Sequence, residues 1–152
     1  MKIEVVEQKS ELSLATKKRA TMENMMAIID EGYGKIAGYL AELSKEASGA
    51  PYICYFNCTE DFSEFDLEMG FPVAEELPVK DGFYMGKTYE GKTLAGTHKG
   101  SYSKLEQAYA ELMKYAAESN LELTGIYYDY YLNDPSVTPE EELLTKVVFA
   151  IK

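Results

Sequence analysis

Residues 32–47, GYGKIAGYLAELSKEA, and residues 101–116, SYSKLEQAYAELMKYA, are the stretches that decide the fold, because they are two versions of one helix. They agree at seven of sixteen positions, including Tyr33 with Tyr102. In the second stretch, apolar residues recur with the spacing of one buried helix face. The sequence therefore predicts two related helices, each belonging to one copy of a repeated unit.

Short segments before and after both helices repeat in the same order. Each half of the chain therefore has the order strand, helix, strand, strand. Similar helix composition alone does not explain three matching elements in one order. The matched segments are Leu14-Ala15 with Leu94-Ala95, Tyr55-Phe56-Asn57 with Tyr131-Leu132-Asn133, and Phe71-Pro72-Val73 with Phe149-Ala150-Ile151.

We predict an α+β fold in a single domain over residues 1–152, with pseudo-repeats at about 1–75 and 83–152. Each repeat has one apolar sheet face without enough cover, so joining the two buries both faces. The expected result is one mainly antiparallel sheet with the helices on one side and a ligand groove on the other. A chain of 152 residues buries about two thirds of its unfolded surface without disulfides.

Local signals predict the single elements. Three glycines weaken the first helix, so we expect a short first helical piece, a kink or break near Gly32, and a main helix from about Tyr33 to Ala47. Residues 1–18 form one strand, or two strands broken near Lys9. Glu90-Gly91 predicts a hairpin turn between its flanking strands, and Asp81-Gly82 predicts another turn. The predicted strands after the first helix are residues 52–57, 65–73, 83–89, 92–99, 125–132 and 143–151.

The segment from Gly125 to Pro135, GIYYDYYLNDP, sets one acid, Asp129, inside a run of four tyrosines. Side chains alternate along a strand, which puts Tyr127, Asp129 and Tyr131 on one face. A carboxylate flanked by phenol rings attracts an organic cation; the alternative is a solvent-facing strand whose acid has no function. The other face, which is more apolar and is expected to pack on the helices, holds Ile126, Tyr128, Tyr130 and Leu132.

Composition excludes several kinds of partner. The net charge is −11 with a single arginine, whereas nucleic-acid affinity depends on clustered Lys and Arg. Cys54, Cys58 and the distant His98 are too few ligands for a closed zinc site, so we predict free thiols and no cofactor. No apolar run approaches the roughly 20 residues of a membrane span. We therefore expect a cytoplasmic protein with no direct nucleic-acid partner and no membrane partner.

Six segments spread over nearly the whole chain carry a resemblance to a known family. They are TMENM (21–25), GAPYICYFN (49–57), DLEMGFPV (66–73), THKGSYSKLEQAYAEL (97–112), YYDYYLNDP (127–135) and TPEEELLTKVVFAIK (138–152). Together they resemble the GyrI-like small-molecule-binding proteins, also described as the effector-binding domain of AraC-type regulators. The resemblance implies two tandem strand-helix-strand-strand motifs around a central groove. It also implies one of four roles: effector sensing beside a DNA-binding module, standalone ligand binding, gyrase inhibition, or hydrolysis of strained cyclopropanoid compounds.

The same resemblance assigns the acid of the groove. In the family it is a glutamate in a segment of the form Tyr-Glu-x-Tyr ahead of an Asn-Asp-Pro turn, and that position here is Asp129. The shorter acid keeps the charge but draws it back by one methylene. The chain has no Trp, so an aromatic partner of that type in the hydrolytic branch is a tyrosine here. No helix-turn-helix accompanies the motifs, so a standalone protein is expected.

We predict a protein that binds lipophilic, cationic aromatic small molecules, with Asp129 neutralising the cation and tyrosines supplying ring faces. One alternative is a hydrolase of strained electrophiles, in which Asp129 positions a water and Tyr131 or Tyr102 assists the leaving atom. Another is an acidic protein that binds a basic partner such as gyrase. The predicted ligand-binding residues, expected along the seam between the repeats, are Asp129, Tyr127, Tyr131, Tyr55, Ile53, Glu68 and Tyr102.

Overall fold

The computed structural model describes residues 1–80 and 82–152, and within them the chain forms eight strands, two α-helices and two short 3-10 helices. This confirms the predicted α+β class. The strands are β1 (Ile3–Gln8), β2 (Leu12–Thr21), β3 (Tyr52–Phe56), β4 (Glu64–Pro72), β5 (Tyr84–Lys87), β6 (Gly91–Lys99), β7 (Leu123–Tyr131) and β8 (Leu144–Ile151). The helices are α1 (Met25–Glu42) and α2 (Leu105–Glu118), and the 3-10 helices are Tyr102–Lys104 and Glu140–Glu142.

The chain divides into two compact units, each with four antiparallel strands and one helix. The α1 unit is Ser10–Thr88, with the strand order β3-β4-β2-β5. The α2 unit is Met1–Lys9 with Tyr89–Lys152, with the strand order β1-β6-β8-β7. The first strand of the chain is therefore part of the α2 unit and not of the unit that follows it in sequence.

The sequence repeat is reproduced pair by pair in the two units. Residues that the repeat aligns also stand in equivalent places of the two strand ladders, which confirms the tandem repeat. Each position of one unit can thus be compared with its counterpart in the other. The equivalent pairs are Ile53–Met69 with Asp129–Val147, Tyr55–Leu67 with Tyr131–Thr145, and Leu14–Phe71 with Leu94–Phe149.

Helix α1 runs without a break from Met25 to Glu42, so the predicted break near Gly32 is wrong, and so is the predicted end at Ala47. Gly32 is buried, and a Cβ atom there would lie 2.5 Å from the Sδ and Cε atoms of Met69. The glycine therefore lets α1 approach β4 closely. This packing outweighs the low helix propensity of glycine.

Strands β5 and β6 do not form the predicted hairpin. β5 pairs with β2, whereas β6 pairs with β1 and β8. The reason is that β2 and β6 each have a second edge with backbone groups that need partners. β5 supplies that partner in the α1 unit, and β1 supplies it in the α2 unit.

The predicted strand bounds agree closely with the observed ones. The first 18 residues form two strands, and the six later predicted strands lie within two residues of the observed bounds. The turn predicted at Asp81-Gly82 lies partly outside the described residues. No helix in the described ranges is both long and apolar enough to cross a membrane.

Candidate functional site

Helix α2 packs on the face of its sheet that carries Asp129. Asp129 lies directly opposite Val147, and Val147 belongs to the core that α2 forms with β6 and β8. The prediction that the helix covers the other face, with Tyr128 and Tyr130, is therefore wrong. Tyrosine occupies both faces of β7, so apolar character could not distinguish them. The core residues are Leu94, Leu105, Ala108, Leu112, Ala116, Val147, Phe149 and Ile151.

Asp129 is buried, with 1% of its surface exposed, and a side chain of helix α2 binds it. Its Oδ2 atom accepts a hydrogen bond from the hydroxyl of Tyr109 on α2. Burial raises the pKa of the Tyr109 phenol, and the nearby Asp129 charge raises it further. Tyr109 therefore keeps its proton and acts as a donor to the carboxylate. Such a donor lowers the large free-energy cost of burying an acid.

Tyr109 was missed by the sequence analysis, although the repeat contains the signal that finds it. Aligning residues 32–47 with residues 101–116 sets Tyr109 against Leu40, a buried residue of α1. A tyrosine at a position where the sister helix has a core leucine indicates a hydroxyl with a specific partner, since buried hydroxyls are hydrogen-bonded.

Three polar side chains of the α2 unit stand where the α1 unit has apolar ones. We call Asp129, Tyr109 and Thr145 the polar triplet. All three apolar counterparts are buried, so the fold tolerates a fully apolar set at these places. Polar groups that the fold does not require are candidates for function. The counterparts are Ile53 for Asp129, Leu40 for Tyr109 and Leu67 for Thr145.

Three of the predicted site tyrosines lie with Asp129 on the same face. The ring of Tyr102, in the 3-10 turn before α2, meets the ring of Tyr131 edge-on, with centroids 5.4 Å apart. Tyr127 meets Phe149 in the same way at 4.9 Å. All three tyrosines are half-buried. The α2 unit thus has one buried acid and three half-buried tyrosine rings on the same face of its sheet.

The predicted site residues of the α1 unit have a different setting. Ile53 is fully buried and lies opposite Met69, which contacts α1 at Gly32. Tyr55 is half-buried and its ring meets Phe65 edge-on at 5.4 Å. This face has the same relation to α1 as the Asp129 face has to α2, but it carries no acid.

Glu68 lies on the opposite face of the α1-unit sheet, because it is adjacent to Met69 in the strand. Its carboxylate accepts hydrogen bonds from the hydroxyls of Tyr84 and Tyr52, the second at 3.2 Å. The Tyr52 hydroxyl also lies 2.8 Å from Oγ of Ser13. Glu68 therefore links side chains from three neighbouring strands.

This arrangement predicts that removing the Tyr84 hydroxyl makes the protein less sensitive to alkali. Burial and then the Glu68 hydrogen bond raise the pKa of Tyr84 well above its ordinary value, which is about 10 in an unfolded chain. Above about pH 10 the unfolded state thus loses a proton that the folded state keeps, so the free energy of unfolding falls as pH rises. Urea titrations between about pH 9 and pH 11 should give a shallower fall for Tyr84→Phe than for the parent.

The control for that experiment is Tyr115→Phe, which removes a hydroxyl from an exposed tyrosine on α2. It is expected to follow the parent. Equal slopes for Tyr84→Phe and the parent would show that the Tyr84 hydroxyl does not couple folding to pH.

Within the described residues, the two cysteines form no disulfide, and no three His, Cys, Asp or Glu side chains are grouped to hold a metal ion. The fold places the chain among α+β proteins built from two tandem strand-helix-strand-strand repeats. The model of the GyrI-like small molecule binding domain matches residues 1–152, so the chain belongs to the GyrI-like family. The resemblance carried by the sequence motifs is thereby confirmed.

Solved structures share this fold at low sequence identity. SAV2435 bound to tetraphenylphosphonium matches with a TM-score of 0.76 and 12% identity, over 100% of this chain and 94% of that one. The EcmrR C-terminal domain matches with a TM-score of 0.75 and 16% identity, over 99% and 97%. A hydrolase from Listeria innocua matches with a TM-score of 0.65 and 14% identity, over 99% and 92%. No curated protein matches the chain.

Proposed function

We propose that this GyrI-like domain binds lipophilic organic cations through the Asp129 carboxylate of the α2 unit. The observation that carries the proposal is the buried Asp129–Tyr109 pair, at a place where the other repeat has isoleucine and leucine. A buried acid is costly to fold around, and replacing such groups by apolar ones is often neutral or stabilising. A positively charged ligand is a physical reason to retain it.

The chemistry of the surroundings fits a cation with a large apolar body. In a buried setting, the attraction between a carboxylate and a cation is much stronger than in water. The half-buried rings of Tyr102, Tyr127 and Tyr131 add cation–ring contacts of about 0.5–2 kcal/mol each, depending on desolvation. They also supply apolar area, at about 25 cal/mol per Å² removed from water.

One protein of the same fold supports the same class of ligand. SAV2435 is bound to tetraphenylphosphonium, a lipophilic cation, and shares the fold over nearly its whole length. We carry this ligand class to the present chain on the strength of the Asp129 site and the family membership. Tyr55 and Ile53 remain predicted ligand contacts. Glu68 lies on the opposite face of the same sheet, so it is not expected to contact a ligand together with them.

Access to Asp129 requires a change in its surroundings, since only 1% of the residue is exposed. Two half-buried rings on the same face, Tyr102 and Tyr131, contact each other edge-on. Such a contact contributes only about 0.5–1.5 kcal/mol beyond its buried area. We therefore propose that the ligand separates these two rings and takes up their contact surface.

We expect Asp129→Asn to bind tetraphenylphosphonium about tenfold more weakly than the parent, or worse, when measured by isothermal titration calorimetry. The amide oxygen still accepts the Tyr109 hydrogen bond, so the fold is retained while the charge is lost. The matched control is Asp30→Asn, which removes one charge from an exposed position on α1 and is expected to bind like the parent. Equal binding by a folded Asp129→Asn variant would exclude the proposed site.

The hydrolase alternative is tested in the same samples. A relative from Listeria innocua is a hydrolase, but at 14% identity the likeness shows the fold alone. Strained alkylating compounds incubated with the parent are analysed by mass spectrometry. A hydrated product that forms with the parent and not with Asp129→Asn would establish turnover, and unchanged compounds would leave binding as the function.

A further inference from the structure

Thr145 is the third member of the polar triplet, and its position suggests a role beyond that of Asp129. It is the second residue of β8, and none of its surface is exposed. Among the residues that the structure describes, its Oγ1 atom has no hydrogen-bond partner. Nearly all buried polar groups of native proteins have one, and an exception often marks a place for a water or a ligand.

The neighbours of Thr145 place it in the candidate site. It lies directly opposite Tyr131 on β7 and His98 on β6, so all three share the face covered by α2. The ring Nε2 of His98 donates to the backbone oxygen of Ser101 at 3.1 Å, which directs this nitrogen to the start of the helix. Thr145 therefore has a predicted ligand contact, Tyr131, as its immediate neighbour.

Thr145 and Asp129 are diagonal neighbours on that face. Asp129 pairs with Val147, and Thr145 stands two residues before Val147. Diagonal neighbours of this kind are about 7–8 Å apart. One nitrogen atom placed between them can reach the carboxylate and the hydroxyl at hydrogen-bond distances of about 2.8 Å each. The counterpart of Thr145 in the α1 unit is Leu67, so the fold does not need the hydroxyl.

We propose that Thr145 accepts a second N–H bond from an ammonium ion whose charge is held by Asp129. The preferred ligands are then primary or secondary amines in their protonated form, which have at least two N–H groups. Quaternary ammonium and phosphonium ions bind through charge and apolar contact alone and leave the hydroxyl without a partner. This inference rests on the proposed function, because it requires a cation at Asp129.

The test compares two probes with the same aromatic rings, dibenzylammonium and dibenzyldimethylammonium, in calorimetric titrations of the parent and of Thr145→Val. Quaternary ions lose less hydration on binding, so the informative quantity is the ratio of the two affinities in each protein. We expect Thr145→Val to shift this ratio about five- to twentyfold against dibenzylammonium. The affinity for dibenzyldimethylammonium is expected to stay unchanged.

Thr145→Ser keeps the hydroxyl and loses a methyl group, so it is expected to retain the parent's ratio even if its stability falls. An unchanged ratio in Thr145→Val would overturn the inference and assign the hydroxyl to a structural water. Asp129→Asn separates the two proposals. If it weakens both probes while Thr145→Val leaves the ratio unchanged, only the role of Thr145 fails. If it weakens neither probe, the proposed function fails.

Discussion

Gly70→Ala is expected to lower the free energy of unfolding by about 3–5 kcal/mol. A Cβ atom on Gly70 would lie 2.5 Å from the hydroxyl oxygen of Tyr52 and 2.6 Å from its Cζ atom. The Tyr52 ring is fully buried, and its hydroxyl is tied to Glu68 and Ser13. The ring therefore cannot move away without breaking two hydrogen bonds.

Such a loss is a large share of the roughly 5–15 kcal/mol that stabilises a typical domain. Urea unfolding at equilibrium measures it, with Gly38→Ala as the matched control. Gly38 is in α1, and a Cβ atom there meets nothing within 4 Å. Alanine there is expected to stabilise the protein by about 0.5–1 kcal/mol, since it favours the helix. A Gly70→Ala variant as stable as the parent would mean that the Tyr52 ring is not fixed.

The repeat explains why so much of the fold could be predicted. Alternation and helix periodicity each describe a segment of a few residues, but two copies in the same order show which elements form one repeated unit. The alignment makes Ile53 equivalent to Asp129 and Met69 equivalent to Val147, and the structure pairs them in the same way in both units. The fold class and the strand bounds could therefore be predicted from the sequence, whereas the pairing register of the strands came from the structure.

The errors share one cause, which is that tertiary contacts override local preference. Gly32 weakens a helix in isolation, but its missing side chain admits Met69 of β4. Glu90-Gly91 is a good turn, but β5 and β6 gain more from the open edges of β2 and β1. Neither contact can be predicted from the local sequence, because each depends on a residue far away in the chain.

Only part of the candidate site could be predicted from the sequence, because the rest depends on tertiary contacts. Asp129 stood out because an acid is unusual in a tyrosine-rich strand, whereas Tyr109 is an unremarkable residue in an amphipathic helix. Which face of β7 the helix covers could not be read from the strand, since tyrosines occupy both faces. Only the comparison of the two repeats distinguishes the polar triplet from ordinary core residues.

The triple variant Asp129→Ile, Tyr109→Leu and Thr145→Leu is expected to be more stable than the parent and unable to bind cations. It installs the residues of the α1 unit at the equivalent places of the α2 unit. The larger residues at the other two positions add more volume than the lost tyrosine ring removes, so overpacking offsets part of the gain. The α1 unit buries the same apolar set at the equivalent places. Removing a buried charge and its hydrogen-bonding groups together is expected to raise the free energy of unfolding by about 1–4 kcal/mol.

The single variants should behave in the opposite way. Asp129→Ile removes the acceptor of the Tyr109 hydroxyl, and Tyr109→Leu removes a donor to the carboxylate. Each is expected to destabilise the protein by about 1–3 kcal/mol, because a buried polar group loses its partner. The free energy of unfolding of the triple variant is therefore expected to lie several kcal/mol above the value obtained by adding the changes of the single variants. Such non-additivity is the sign of groups that act as a unit.

Urea unfolding of the parent, the single variants and the triple variant gives this comparison, and titration with tetraphenylphosphonium gives the binding. A triple variant less stable than the parent would mean that the polar triplet serves the fold and that the equivalence with the α1 unit fails. A stable variant that still binds the cation would move the site away from Asp129. A gain in stability with a loss of binding is the result expected of residues retained for a ligand at a cost to the fold.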